Sequence, residues 1–179
     1  MNRQPTLQCE LLELRPLSQK DYASLLDAAS DPLIWEQHPQ PDRYQPDVFK
    51  KFFDEALTSQ GALTIIDRKT NKIIGSSRYY DYIPATSVDR SINNSSVIIG
   101  YTFLTRKYWG GSYNFELKKL MVNYALEFVK TTYFQVGLNN LRSQRAMEKI
   151  GGINIGIEEI AVSYAPPKKS YIYKIEKQL

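Results

Sequence analysis

The stretch VIIGYTFLTRKYWGGSYNFELKKLMVNYALEFV, Val97 to Val129, constrains the fold of this chain most. Its first eight residues are apolar on both alternating sets, the pattern of a strand covered on both faces. A glycine pair, Gly110–Gly111, interrupts the run. Leu117, Leu120, Met121, Tyr124, Ala125 and Phe128 then fall on one helical face. A central buried strand, a glycine turn and an amphipathic helix in direct succession put the turn at a helix N-terminus.

The remaining elements can be laid out around that unit. CELLELRPL reads as a strand ended by Pro16, and Ser18 can cap the helical spacing of Tyr22, Leu25, Leu26 and Ala29. DPLIWEQHPQPDRY reads as a short helical turn followed by loop. PDVFKKFFDEAL starts a helix at Pro46, with Val48, Phe49, Phe52, Phe53 and Leu57 on one side. ALTIID and KIIGSSRYYDYI form a hairpin across Arg68–Asn71, and PATSVDRSINNSS is a polar loop. YFQVG is a short strand. NNLRSQRAMEKIGG is a helix begun at Asn140 and closed by Gly151–Gly152, and two strands around a Pro166–Pro167 turn finish the chain. With no repeat, low-complexity tract or linker, 179 residues read as one α+β domain, 1–179.

Composition narrows the chemistry by exclusion. One cysteine, Cys9, precludes an intrachain disulfide and a Cys-rich zinc site, and one histidine leaves no His-based metal set. Cys9 reads as a half-buried residue beside the first strand. The net charge of +4 and pI near 9.0 suit a polyanionic ligand, but lysine and arginine are dispersed, which speaks against a nucleic-acid-binding module. No apolar run is long enough to cross a membrane, and the N-terminus lacks a signal-peptide core. The expected address is the cytoplasm.

Each motif carries two readings. Gly110–Gly111 either make a tight turn or let backbone approach an anion at a helix N-terminus. The loop is neither a Walker motif nor a dinucleotide fingerprint. Asn140 reads as a helix cap over Ser143. The Ser143 hydroxyl shares the apolar stripe of Ala146, Met147 and Ile150, so it needs a partner from backbone or ligand. The tyrosines of RYYDYI read as strand-face packing, and Lys118–Lys119 as a solvated face.

Taken together, LLELRPLSQKDYASLL, IGYTFLTRKYWGGSYNFELKKLMVNYALE and NNLRSQRAMEKIGG resemble the GCN5-related N-acetyltransferase (GNAT) superfamily. They resemble in particular its ribosomal-protein-alanine (RimJ/RimL-type) branch. The resemblance implies a mixed, mostly antiparallel sheet of six to seven strands flanked by about four helices, splayed between the central strand and YFQVG. It implies acetyl-CoA as cosubstrate, no metal, and a homodimer as a possible assembly. The pyrophosphate would meet backbone of Trp109, Gly110, Gly111, Ser112, Tyr113 and Asn114, and the pantetheine would meet Phe103, Leu104 and Asn140. Ser143 would lie near the sulfur and protonate the departing thiolate. The amine, a protein N-terminus or a small molecule, would attack directly.

Four positions depart from the family pattern. Ser112 and Asn114 stand at small-residue positions of the loop. Met147 stands where many members have a general-acid tyrosine, and Ile98 where the branch often has a glutamate. Trp35, Glu36 and His38, from the loop that usually faces the acceptor, are the substrate-side candidates. A non-catalytic acyl-CoA-binding domain is the alternative that these departures keep open.

Overall fold

Short runs rich in apolar residues, alternating in β2 and buried throughout in β3, build the first half of the sheet. The computed structural model describes residues 1–83, 95–162 and 165–177. β1 (Leu7–Gln8) and β2 (Leu12–Pro16) pair antiparallel, and β2 pairs with β3 (Ala62–Asp67). β3 returns through Arg68–Asn71 into β4 (Lys72–Ile83), as the hairpin signal predicts. Asn71 takes a positive φ of 55° at the turn, which asparagine tolerates better than most residues. β5 (Ser96–Leu104) lies antiparallel to β4. β6 (Thr131–Gly137) is parallel to β5, and β8 (Ala165–Glu176) and β7 (Ile153–Val162) complete the order β1-β2-β3-β4-β5-β6-β8-β7. The eighth strand beyond the expected six to seven is accounted for by the two-residue β1. The polar stretch at 84–94 lies outside the described residues.

Four helices cover the sheet, two on each face. α1 (Tyr22–Ala28) follows a 3-10 turn begun by Ser18, whose hydroxyl accepts from the Lys20 N–H while the Asp21 carboxylate accepts from the Ser18 N–H. α2 (Pro46–Thr58) starts on its proline, where the missing N–H costs nothing. Leu25, Phe49, Phe52 and Phe53 pack with Trp35 and Phe103 as one core. On the other face, α3 (Tyr113–Leu126) and α4 (Leu141–Lys149) press Leu117, Met121, Ala125 and Met147 onto Ile65, Val97, Ile99 and Phe134. β5 therefore feeds both cores, as its doubly apolar pattern predicts.

Three sequence readings are corrected. Pro166–Pro167 are not the final turn, because β8 begins at Ala165. They sit on its opening stretch, where β7 is the only strand paired until Ser170, so proline removes no second ladder bond. Phe128 lies beyond α3 and is exposed. Lys118, read as solvated, is instead 6% exposed: the inner face of α3 is broad enough to bury 117, 118, 121, 122 and 125 together.

Candidate active site

β5 and β6 pair only from Ser96↔Thr131 to Ile98↔Tyr133, then diverge. The cause lies on the opposite edge of β5. A bulge there shifts register between Ser76 and Arg78, and Tyr101 adopts a φ of 53° within it. Such bulges bend a strand and raise its twist. The result is a V-shaped cleft of about 410 Å³ walled by Ile99–Leu104 of β5 and Phe134–Gly137 of β6. Tyr80 of β4 reaches past β5 to β6: its phenol donates to Gln135 Oε1 at 3.0 Å. A Cβ on Gly100 would come within 3.1 Å of that ring, so glycine is what lets Tyr80 pass.

The glycine loop closes one end of the V. Gly110 has a φ of 72°, which gives it a backbone reason to be glycine. Gly111 has no such reason: its φ is ordinary, and an added Cβ would meet nothing within 4 Å. It opens onto the cleft. α3 begins two residues later, and its N-cap, Ser112, makes no side-chain capping bond. The backbone N–H groups from Gly110 through Phe115 donate to no acceptor among the described residues. Unpaired amides at a helix N-terminus carry partial positive charge and suit an anion.

Asp67, at the end of β3, fixes the loop from behind. It accepts from the Thr70 hydroxyl at 2.5 Å, the Tyr113 phenol at 2.9 Å and the Tyr108 phenol at 3.1 Å. Burial pushes its carboxyl up, but these donors outweigh burial and hold it below the usual range. Tyr113 therefore faces away from the cleft, and neither it nor Ser112 forms part of the wall; Asn114 does. The Trp109 amide is spent on Arg106 O at 2.9 Å, so that residue contributes its indole instead. That ring donates to Leu104 O at 2.9 Å and stacks under the Arg142 guanidinium, 4.1 Å from its centroid.

α4 closes the other side. Asn140 Oδ1 accepts from the Ser143 N–H at 3.1 Å, the expected cap, and both residues line the cleft. The Ser143 hydroxyl makes no hydrogen bond among the described residues. Met147 is fully buried, and its side chain offers no proton. Phe103 and Leu104 reach the wall from β5, although the Phe103 ring itself packs 5.1 Å from that of Trp35.

Of the substrate-side candidates, only His38 reaches the cleft. Trp35 is a core residue, 0% exposed, with its indole N–H donated to Ala29 O at 2.8 Å. Glu36 points outward and pairs with Arg142 at 3.2 Å. His38 Nδ1 accepts from Arg43 Nη1 at 3.0 Å, which leaves the proton of the neutral ring on Nε2. Burial, and then the Arg43, Arg142 and Lys168 charges, lower its pKa to about 3. A neutral ring whose one lone pair is already used is a donor toward the cleft rather than a base.

Sequence reading missed Tyr80, Lys118 and Arg43 on this wall. The Lys118 ammonium lies 5.0 Å from the Phe134 ring centroid, and burial lowers its pKa to about 8. Among the described residues no aspartate or glutamate lines the cleft, and no cluster of three or more His, Cys, Asp or Glu could hold a metal. No described helix is long and apolar enough to cross a membrane.

The family model described as "Acetyltransferase (GNAT) domain" matches residues 12–153. The chain belongs to the GNAT acetyltransferase family. No curated protein matches it. The GNAT fold is shared with solved structures of low identity. An acetyltransferase (GNAT family) from Bacillus anthracis is 18% identical with a TM-score of 0.74, covering 96% of this chain and 98% of that one. A GCN5-related N-acetyltransferase from Brucella melitensis is 18% identical with a TM-score of 0.77, covering 97% and 79%. Mycobacterium smegmatis RimJ in complex with CoA-disulfide is 13% identical with a TM-score of 0.69, covering 97% and 86%. In GNAT terms, this chain holds the strand splay, the glycine loop and the Asn140–Ser143 helix on one cleft.

Proposed function

We propose that this protein is an acetyl-CoA-dependent N-acetyltransferase, a single cytoplasmic domain of the RimJ/RimL-type branch acting on a primary amine. Gly111 carries the reading. It has no internal reason to be glycine, and it faces a cleft beside a run of undonated amides at the start of α3. Those amides would hold the pyrophosphate of the cosubstrate. The unpaired legs of β5 and β6 would receive the pantetheine, with Asn140 and Ser143 beside it. The amine nitrogen attacks the thioester carbonyl carbon, the C–S bond breaks, and the amine proton is lost to solvent. The Ser143 hydroxyl, on the cleft wall and without a partner among the described residues, would donate the proton to the thiolate.

Thermal-shift titration tests binding: acetyl-CoA at about 100 times its Kd stabilises by about 2.7 kcal/mol, a Tm rise of roughly 5 °C or more for a domain of this size. No shift sinks the proposal. Free-thiol release over an amine panel then tests transfer, and Ser143→Ala is expected to lower kcat by about a hundredfold or more with an unchanged acetyl-CoA shift. A wild-type rate in that variant removes Ser143 from proton transfer. That no carboxylate lines the wall among the described residues favours one second reading, an acyl-CoA-binding domain without turnover. Binding without thiol release on any amine would establish it.

A further inference from the structure

Beyond the cosubstrate channel, two arginines are buried in the aromatic core between α2 and β5 with no carboxylate ion-paired to either among the described residues. Arg43 is 3% exposed and lines the cleft. Its Nε and Nη2 donate to Gln40 Oε1 at 3.0 and 2.7 Å, and Nη1 donates to His38. Arg78 of β4 is 6% exposed, and its Nε and Nη2 have no hydrogen-bond partner. The two guanidinium carbons lie 4.5 and 5.7 Å from the Phe52 ring centroid. That of Arg78 also lies 4.3 Å over Tyr101, the bulged residue of the cleft wall. Glu55 is the acid close enough to act on both charges, with Asp42 acting on Arg43, yet neither forms an ion pair with them among the described residues.

Cation–π contacts to Phe52, Tyr101 and Trp35 offset only part of what burying these two charges costs. Buried cations are costly unless paired, and two of them around one ring repel each other in a medium of low dielectric. Methionine at Arg78 would fill similar space and bury no N–H without a partner. Burial acts against the charge on both, and Arg43 is drawn down to about 10. A cation held by side-chain acceptors at a cleft wall, beside a second with free N–H groups, is matched to an anion arriving with a ligand. Of the two, Arg43 lines the cleft, and Arg78 adds its charge from behind Tyr101 and Phe52.

We propose that the acceptor is a small amine that also carries an anionic group, carboxylate or phosphate, held at Arg43 with the Arg78 charge behind it while its nitrogen faces the thioester. This rests on the acetyltransferase reading above and names the substrate class of the same site. His38 Nε2–H supplies a neutral donor on the same wall.

Matched pairs of amines test it with saturating acetyl-CoA and free-thiol release as readout: phenylalanine against phenethylamine, lysine against cadaverine, glucosamine 6-phosphate against glucosamine. The first two pairs report carboxylate and the third phosphate. The expected result is about tenfold or greater preference in kcat/KM for the anionic member of at least one pair, the scale of a charge-assisted contact. Arg43→Gln and Arg78→Met are each expected to raise KM for that anionic amine until the preference collapses, while the acetyl-CoA thermal shift persists. Arg78→Met is also expected to raise the Tm of the free protein, because it removes an unpaired charge; an arginine serving the fold would lower it. Equal turnover of both members, no turnover of any amine, better turnover of an uncharged peptide N-terminus, or a lowered Tm in Arg78→Met overturns the inference. If acetyl-CoA gives no shift with the wild type, the acetyltransferase reading falls and takes this one with it. A shift without charge preference overturns this inference alone.

Discussion

Gly110 and Gly111 are neighbours with different physics, and single substitutions separate them. Alanine at Gly110 must hold a φ of 72°, which costs about 1 kcal/mol. Alanine at Gly111 meets no atom within 4 Å and adopts an ordinary backbone. Gly111→Ala is therefore expected to leave Tm unchanged or slightly raised while raising the KM for acetyl-CoA about tenfold. A lowered Tm with unchanged KM would return Gly111 to the role of a joint. Asp21 is the residue on which the amino-terminal fold turns: it accepts from Arg15 at 2.7 and 2.8 Å, Thr64 at 2.8 Å and the Ser18 amide at 2.9 Å. Burial raises its pKa, but Arg15, Ser18 and Thr64 outweigh that and lower it. A depressed carboxylate stabilises above its unfolded pKa and loses that contribution as pH falls through the folded one. Asp21→Asn is expected to cost about 2 kcal/mol at pH 7, and the gap to wild type in denaturant titrations narrows from pH 4 downward.

Elements differ in how far their sequences announce them. β5 and α4 were legible because a doubly apolar run and an Asn-x-x-Ser start each specify a local environment. The inner face of α3 was not. Lys118 carries the signature of a solvated charge, and only the divergence of β6, which brings Phe134 beneath it, explains its burial. Arg43 and Trp35 fail for the same reason in opposite senses, since a proline-rich loop does not state which of its side chains turn inward. Lys118 gives the element-scale prediction. Its pKa, lowered to about 8 by burial, means that charging it opposes folding. Below pH 8 the folded and unfolded states are both protonated and the penalty is constant; between 8 and about 10.5 the unfolded chain binds more protons, so stability rises with pH. Lys118→Met is expected to raise Tm at pH 7 and to lose that advantage by pH 10. A lower Tm at pH 7 would show that the ammonium serves the fold.

At the scale of the whole molecule, the sheet is two antiparallel blocks joined by a short parallel seam, three residue pairs long between β5 and β6. The seam is the weak point of the sheet and the mouth of the cleft, so a ligand seated there joins the two blocks. The splay itself was expected only through family resemblance; the bulge at Tyr101 that produces it depends on pairing with β4, which no local pattern encodes. Hydrogen exchange reads the consequence directly, because exchange of an amide tracks its own opening. In the free protein the amides from Gly110 through Phe115 have no acceptor among the described residues and are expected to exchange fast, whereas the Glu116 amide, bonded to Ser112 O at 2.9 Å, is protected. Saturating CoA is expected to slow the first group, leaving Glu116 little changed, and to slow amides of Ile99–Leu104 on the open leg of β5. Protection confined to the glycine loop would place the phosphates there but leave the strands apart. Uniform slowing across the sheet would report global stabilisation by mass action instead of a ligand seated in the seam.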